Sequence, residues 1–160
     1  MSTKDQLISW LNDAYAMETG LLPILQNHAD DAKADPEAAA RLTAHAQETR
    51  RHVQRVQECI ENLGGRVSAL RAGMSTVMGA FESIATAPFR DELVKNVLMD
   101  YASEHFEIAC YTALVAAARR AGRDDVARVC SEILEEERSM ARWLESQIPT
   151  VVEGALTTAR

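Results

Sequence analysis

Apolar residues recur at spacings of three and four through four long segments of the chain, the period of an amphipathic helix. The first segment, about residues 4–29, carries Leu7, Leu11, Ala14, Glu18, Leu22 and Leu25 on one stripe. The second, about 36–63, carries Leu42, Ala46, Thr49, Val53, Val56, Ile60 and Leu63, with His45, Glu48 and His52 along one flank. The third, about 90–121, carries Leu93, Val97, Tyr101, Glu104, Ile108, Tyr111, Val115 and Ala118, with Glu107 at its edge. The fourth, about 124–147, carries Val126, Cys130, Ile133, Glu137, Met140 and Leu144. Four such stripes predict an all-α four-helix bundle, one domain over residues 1–150, with a tail over 151–160 that is loose or docked on the surface.

Start and stop signals set the boundaries. Thr3 and Gln6 have the spacing of a capping box. Asp35-Pro36 reads as an N-cap followed by proline at the first helical position. Gly64-Gly65 and Gly122 end the second and third helices, and Pro149 is expected to stop the fourth. Pro23 lies inside the first stripe, so a kink is expected just past Glu18. Residues 65–89 hold Gly65, Gly73, Gly79 and Pro88 around a weaker amphipathic stretch from Ser75 to Ile84. About 25 residues is too long for a plain turn. It suits a crossover carrying a short extra helix, after which the second and third helices run in the same direction.

Each helix places a glutamate in or beside its apolar stripe: Glu18, Glu48, Glu104 and Glu137. A buried, unpaired carboxylate is strongly unfavourable. Four, one per helix, are most simply explained by cations between them, and a pair of metal ions inside the bundle is the economical candidate. An internal repeat supports this: Tyr15-Ala16-Met17-Glu18 in the first helix matches Tyr101-Ala102-Ser103-Glu104 in the third. The chain then reads as two helical hairpins about an approximate two-fold. Carboxylates and imidazoles suit iron and manganese, and zinc less characteristically. Glu18 and Glu104 read as the single carboxylates and Glu48 and Glu137 as the bridging pair. Tyr15 and Tyr101, one turn from two of these glutamates, read as hydroxyl donors behind the ligands. His28 and His105 read as solvated, as does the Glu135-Glu136 stretch beside Glu137.

The segments DAYAMETGLLPILQ, HAQETRRH, DYASEHFEIACYTAL and LEEERSMARWL resemble the YciE/YciF-type, stress-associated branch of the ferritin-like superfamily. The resemblance spans about residues 5–150. It implies a ferritin-like four-helix bundle, often dimeric, with a di-iron-type site and a loose association with bacterial stress responses; it supplies no established reaction. The chain departs from the Glu-x-x-His pattern of such sites. The positions three beyond Glu48 and Glu137 are Arg51 and Met140. His45 and Glu107 are candidate replacements, and His52 is a further one or an outer partner.

The chain has 160 residues, 47% hydrophobic and 26% charged, the profile of a globular domain with a real core. A formal charge of -7 argues against nucleic acid or an anionic membrane as partner. No apolar run approaches the ~20 residues of a membrane span, and the N-terminus lacks a signal-peptide pattern. Cys59, Cys110 and Cys130 form no CxxC pair and read as reduced core residues of a cytoplasmic protein. No Gly-rich phosphate loop or Ser-His-Asp arrangement is evident. Two functions stand. One is a dimetal protein, iron or manganese, acting on peroxide or oxygen in stress defence. The other is a non-catalytic iron-binding or structural partner-binding bundle. A homodimer is expected in either case.

Overall fold

The computed structural model describes residues 2–68 and 91–158. It contains helix α1 (Thr3–Asp31), a short 3-10 turn (Ala32–Ala34), α2 (Pro36–Asn62), α3 (Glu92–Arg120) and α4 (Asp124–Thr158), with no strand among the described residues. The extra helix expected between Ser75 and Ile84 lies outside the described residues.

Short connections make α1–α2 and α3–α4 antiparallel hairpins. Contacts between the hairpins fix the remaining directions. His28 and Asp31 of α1 meet Asp100 and Asn96 of α3, whereas Glu18 meets Tyr111, so α1 and α3 are antiparallel. His52 and Arg55 of α2 meet Glu136 and Glu132 of α4 in antiparallel order. It follows that α2 and α3 are parallel, as the length of the segment between them predicts.

Most helix ends follow their sequence signals. Asp35 accepts hydrogen bonds from the amides of Glu37 and Ala38, and Asp91 accepts one from Val94. After α2, Gly64 takes φ +76°, with Gly64 N–H donating to Glu61 O and Gly65 N–H to Ile60 O. After α3, Gly122 takes φ +67° with the same pair of bonds to Arg119 and Ala118. Both are Schellman ends. The capping box of α1 falls one residue earlier than expected, on Ser2 and Asp5. Asp5 has a side chain short enough to reach back to the Ser2 amide, which moves the helix start by one position.

Neither internal proline ends its helix. α1 is continuous through Pro23. α4 continues through Pro149 to Thr158, so helix replaces the expected stop and extends over residues 151–158 of the expected tail. The ring removes the bond to the Glu145 carbonyl. Pro149 and Glu145 are both exposed, so that carbonyl faces water. Meanwhile Ile148 and Val151 pack against Met140 and Leu144 on the inner side. The core has two apolar clusters. One is built around Leu7, Leu11, Val56, Ile60, Leu114 and Ile133; the other is smaller, around Ala29, Leu42, Val97, Met140 and Leu144. Along α2, α3 and α4 a buried polar layer separates them.

Two glycines give opposite tests. A Cβ at Gly122 meets nothing within 4 Å, so Gly122→Ala carries only the left-handed backbone penalty. Chemical denaturation should show a loss of about 1 kcal/mol. Gly154 sits inside α4 with equally open space, so Gly154→Ala should instead gain about 0.5–1 kcal/mol.

Candidate metal centre

The polar layer is centred on Glu137 of α4, which is fully buried. Its two carboxylate oxygens face two different partner sets. Glu137 Oε1 lies 2.9 Å from His52 Nδ1, and that nitrogen lies 3.6 Å from Glu18 Oε2. Glu137 Oε2 lies 4.0 Å from His45 Nε2, and that nitrogen lies 2.9 Å from Glu104 Oε1. In each set, Glu18–His52–Glu137 and His45–Glu104–Glu137, the donor atoms lie within 4.8 Å of one another. All five residues are buried.

α2 supplies both imidazoles, seven residues or two turns apart on its inner face. An outer carboxylate holds the other nitrogen of each ring. His45 Nδ1 is 3.2 Å from Glu48 Oε2, and Glu48 also accepts from Arg41 at 3.3 Å. His52 Nε2 is 2.6 Å from Glu136 Oε2, and Arg55 lies 3.7 Å from Glu136 Oε1. Such partners fix ring orientation and raise the basicity of the inward nitrogen. Tyr111, fully buried on α3, donates its hydroxyl to Glu18 Oε1. Thr49, between the two histidines, turns its hydroxyl back to the His45 carbonyl.

Five buried atoms of this layer make no well-aligned hydrogen bond: Glu18 Oε2, His52 Nδ1, Glu104 Oε2 and both oxygens of Glu137, although His52 Nδ1 and Glu137 Oε1 stand 2.9 Å apart as an ion-pair contact. Buried polar atoms are nearly always satisfied, so a cluster of exceptions calls for a missing partner. Oxygen and imidazole donors converging in this way fit a metal ion of the iron or manganese kind.

The proton affinities follow from the crowding. Burial raises Glu18, pushes Glu104 up to about 8, and raises Glu107 well above the carboxylate range. The charge of Glu137 raises all three further. Burial opposes the imidazolium of His45, but Glu104 and then Glu48 outweigh it and push the ring up to about 10. His52 is likewise pushed up to about 11 against burial, by contact with Glu137 and Glu18. Glu137 itself stays below the carboxylate range despite burial, because both imidazoles face it. Glu48, hydrogen-bonded to His45 and paired with Arg41, is held down to about 2.

The structure brings some of the expected residues together and leaves others apart. Glu18, Glu104, Glu137 and His45 converge. His52 joins them directly, on the inner face of α2 and not its flank. Glu48 lies half-buried behind His45, outside both donor sets. Glu107 is fully inside the core face, 3.4 Å from the Ser103 hydroxyl and close enough to the other glutamates to feel their charge, but belongs to neither set. Tyr15 packs in the larger apolar cluster, and Tyr101 packs beside the smaller one with its ring edge on His105. Among the described residues, the tyrosine hydroxyl bonded to a core glutamate is that of Tyr111. Its place on the third stripe was visible in sequence, one turn beyond Glu107. Glu136, expected in solvent, is bonded to His52; a run of three glutamates gave no signal to separate it from Glu135. His28 is buried against Asp100 at 2.7 Å and not solvated, whereas His105 is exposed as expected.

Fold and site together define a ferritin-like four-helix bundle with a carboxylate–histidine cluster at its centre. The chain belongs to the family described as domain of unknown function DUF892, whose model matches residues 2–157. A protein from Xanthomonas campestris pv. campestris is 35% identical in sequence, with 99% of each chain covered and a TM-score of 0.85. Protein YciF of Escherichia coli K12 is 25% identical over 140 residues, 85% of this chain and 84% of YciF. The crystal structure of that stress protein has a TM-score of 0.80 at 22% identity, covering 96% of this chain and 98% of YciF. The bacterioferritin of Desulfovibrio desulfuricans, which contains a diiron site, shares the fold with a TM-score of 0.75 at 23% identity, covering 98% and 87%. The chain thus falls with the YciE/YciF-type branch, and its buried cluster supports metal binding.

Proton uptake sets a pH dependence. In metal-free protein His45, His52 and Glu104 all bind protons more tightly folded than unfolded. The stability contributed by the imidazoles is fully present below their ordinary value of 6.5 and is lost as pH rises toward about 10 and 11. Glu104 acts in the same direction between 4.5 and about 8. Melting curves of chelator-treated protein should therefore show Tm falling from pH 6.5 to pH 9. A bound cation needs those protons removed, so the rise in Tm on adding Mn²⁺ should widen over the same range.

Proposed function

We propose that this protein holds two metal ions, iron first and manganese second, and turns over peroxide or oxygen in a bacterial stress response. The carrying observation is Glu137, a buried carboxylate whose two oxygens face separate histidine–glutamate pairs. In this reading Glu18, His52 and Glu137 would hold one ion, and His45, Glu104 and Glu137 the other. Glu107 is the additional carboxylate available from α3. A redox-active ion pair, when bound, would supply the two electrons that reduce an O–O bond, and each further turnover would draw two electrons from an external reductant. The chain keeps the two rings aimed inward through Glu48 and Glu136, holds Glu18 by the Tyr111 hydroxyl, and excludes bulk water with apolar clusters on either side. The stress role is supported by the likeness to YciF.

The same reading places the protein in the cytoplasm as a homodimer. No described helix is long and apolar enough to cross a membrane. Trp10 and Phe106, 43% and 46% exposed along one groove, support self-association. A light-scattering mass of one chain would remove the dimer.

A second reading has its own observation. His45 and His52 sit against carboxylates closely enough to form imidazolium–carboxylate pairs, which would make the layer a self-contained polar core of a partner-binding bundle. Metal content separates the two. Protein from cells supplemented with iron and manganese, purified without tag or chelator, should carry about two equivalents per chain by mass spectrometry. Glu137→Gln should carry one or fewer, and Glu104→Ala should lose peroxide consumption at least about tenfold. Folded, heat-stable protein with no metal would establish the second reading.

A further inference from the structure

Two of the three cysteines occupy related places on facing helices. Cys59 follows His52 by seven residues on α2, and Cys130 precedes Glu137 by seven on α4. Because α2 and α4 are antiparallel, both steps run the same way along the bundle. Seven residues are close to two full turns, so each thiol keeps the facing of the residue it steps from. His52 and Glu137 meet at 2.9 Å, and the same seam about 10 Å further on carries Cys59 on one helix and Cys130 on the other. Both are buried in the larger apolar cluster, 6% and 0% exposed. Cys110 is elsewhere, on α3 beside Trp10 and Phe106.

The electrostatics agree with this placement. Burial pushes the Cys130 thiol up to about 12, and the charge of Cys59 adds to the rise. Burial also raises Cys59. The Arg55 guanidinium acts on both thiols in the opposite sense, so one cation stands within reach of the pair. Val56 and Ile133, both without exposed surface, occupy the turns between the thiols and the metal layer. A buried thiol held in its protonated form reacts slowly with peroxide in bulk water. In that setting the metal layer, two turns away, is the oxidising centre the pair can reach.

We propose that Cys59 and Cys130 are the protein's own electron donor, a dithiol that closes to one disulfide as peroxide is reduced at the metal layer. Two S–H bonds break and one S–S bond forms. The two electrons pass to the layer and the two protons are released with them, which balances the reduction of one hydrogen peroxide to two waters. Two external thiols then reopen the bond by exchange and leave as their own disulfide. Their point of attack is Cys59, the member nearer solvent, which lines a cleft with Arg55 and Arg128. Transient, catalytic disulfides of this kind are the ones a reducing compartment permits. The destination of the electrons rests on the peroxide reading above; the pairing of the thiols does not.

Two experiments on the full chain test the pairing and the electron route separately. Metal-free protein is first equilibrated in a glutathione redox buffer, blocked with N-ethylmaleimide under denaturing conditions and mapped by mass spectrometry. Cys59 should be linked to Cys130 with Cys110 blocked, and the closed form should melt higher than the open one because the link constrains the unfolded chain. A link through Cys110, or glutathione adducts alone, would overturn the pairing. Protein loaded with Fe²⁺ under argon and freed of excess metal is then given two equivalents of hydrogen peroxide per chain, one met by the ions and one by the thiols. The same link should appear in the unaltered chain and in Cys110→Ser. It should be absent from Cys59→Ala and from metal-free protein treated alike; equal linkage without metal would overturn the route through the layer. Both equivalents consumed with the thiols still free would overturn the electron donor and leave the peroxide reading standing. Peroxide left unconsumed would overturn both.

Discussion

Everything in the middle of this bundle follows from an imbalance of charge. Glu18, Glu104, Glu107 and Glu137 are buried there with only two imidazoles, His45 and His52. Even with both rings protonated, two carboxylates remain uncompensated. Burying such charges is far more unfavourable than any hydrogen bond can offset. The layer must therefore take up protons or a cation. The raised affinities of Glu18, Glu104 and Glu107 are the proton solution, and the two oxygens of Glu137, facing separate histidine–glutamate pairs, mark where a cation would replace it. Protons and metal compete for one set of sites, which couples metal affinity to pH through the same residues that set stability.

The apolar clusters above and below keep water from relieving that imbalance, and the outer shell keeps the rings from turning away from it. Both histidines come from α2, but their restraints come from different places. Glu48 reaches His45 from one turn along the same helix, whereas Glu136 reaches His52 across the interface from α4. Arg41 and Arg55 then stand behind the two carboxylates. The two-fold hinted at by the repeated Tyr-Ala-x-Glu holds for Glu18 and Glu104 and fails for the other pair of helices. α2 gives two imidazoles and α4 gives the shared carboxylate. The two halves of the site have the same donor types without equivalent supports.

How much of this was legible in the sequence depends on how far each residue violates its surroundings. Glu18, Glu104 and Glu137 interrupt otherwise apolar stripes, and that violation located them. Helix number, the direction of the crossover and the Asp35-Pro36 cap were readable for the same reason: each rests on local chemistry. Glu48 and His52 were harder. The apolar stripe of α2 is interrupted by polar residues on its true inner face, so a reading weighted by hydrophobicity centres it slightly to one side. That shift put Glu48 within reach of the core and His52 at its margin, when the rotation of the helix does the reverse. Glu136 was invisible because its role depends on a histidine 84 positions away. The continuation of α4 through Pro149 was missed because a missing hydrogen bond is a local fact, whereas the packing of Ile148 and Val151 that outweighs it is not.

The His28–Asp100 pair shows what the same chemistry looks like in balance. One imidazole meets one carboxylate at 2.7 Å, and no atom of either is buried without a partner. Burial opposes the charged ring, and the hydrogen bond and charge of Asp100 outweigh it. Nothing further is needed to make that pair stable. One turn away the ratio changes to two rings and four carboxylates, and unpartnered atoms appear. Residue type and burial are alike in the two places. The stoichiometry of charge is what distinguishes a self-sufficient polar pair from a site that must take up protons or a cation, and it is the reason the metal reading attaches to Glu137 and not to every buried histidine in the bundle.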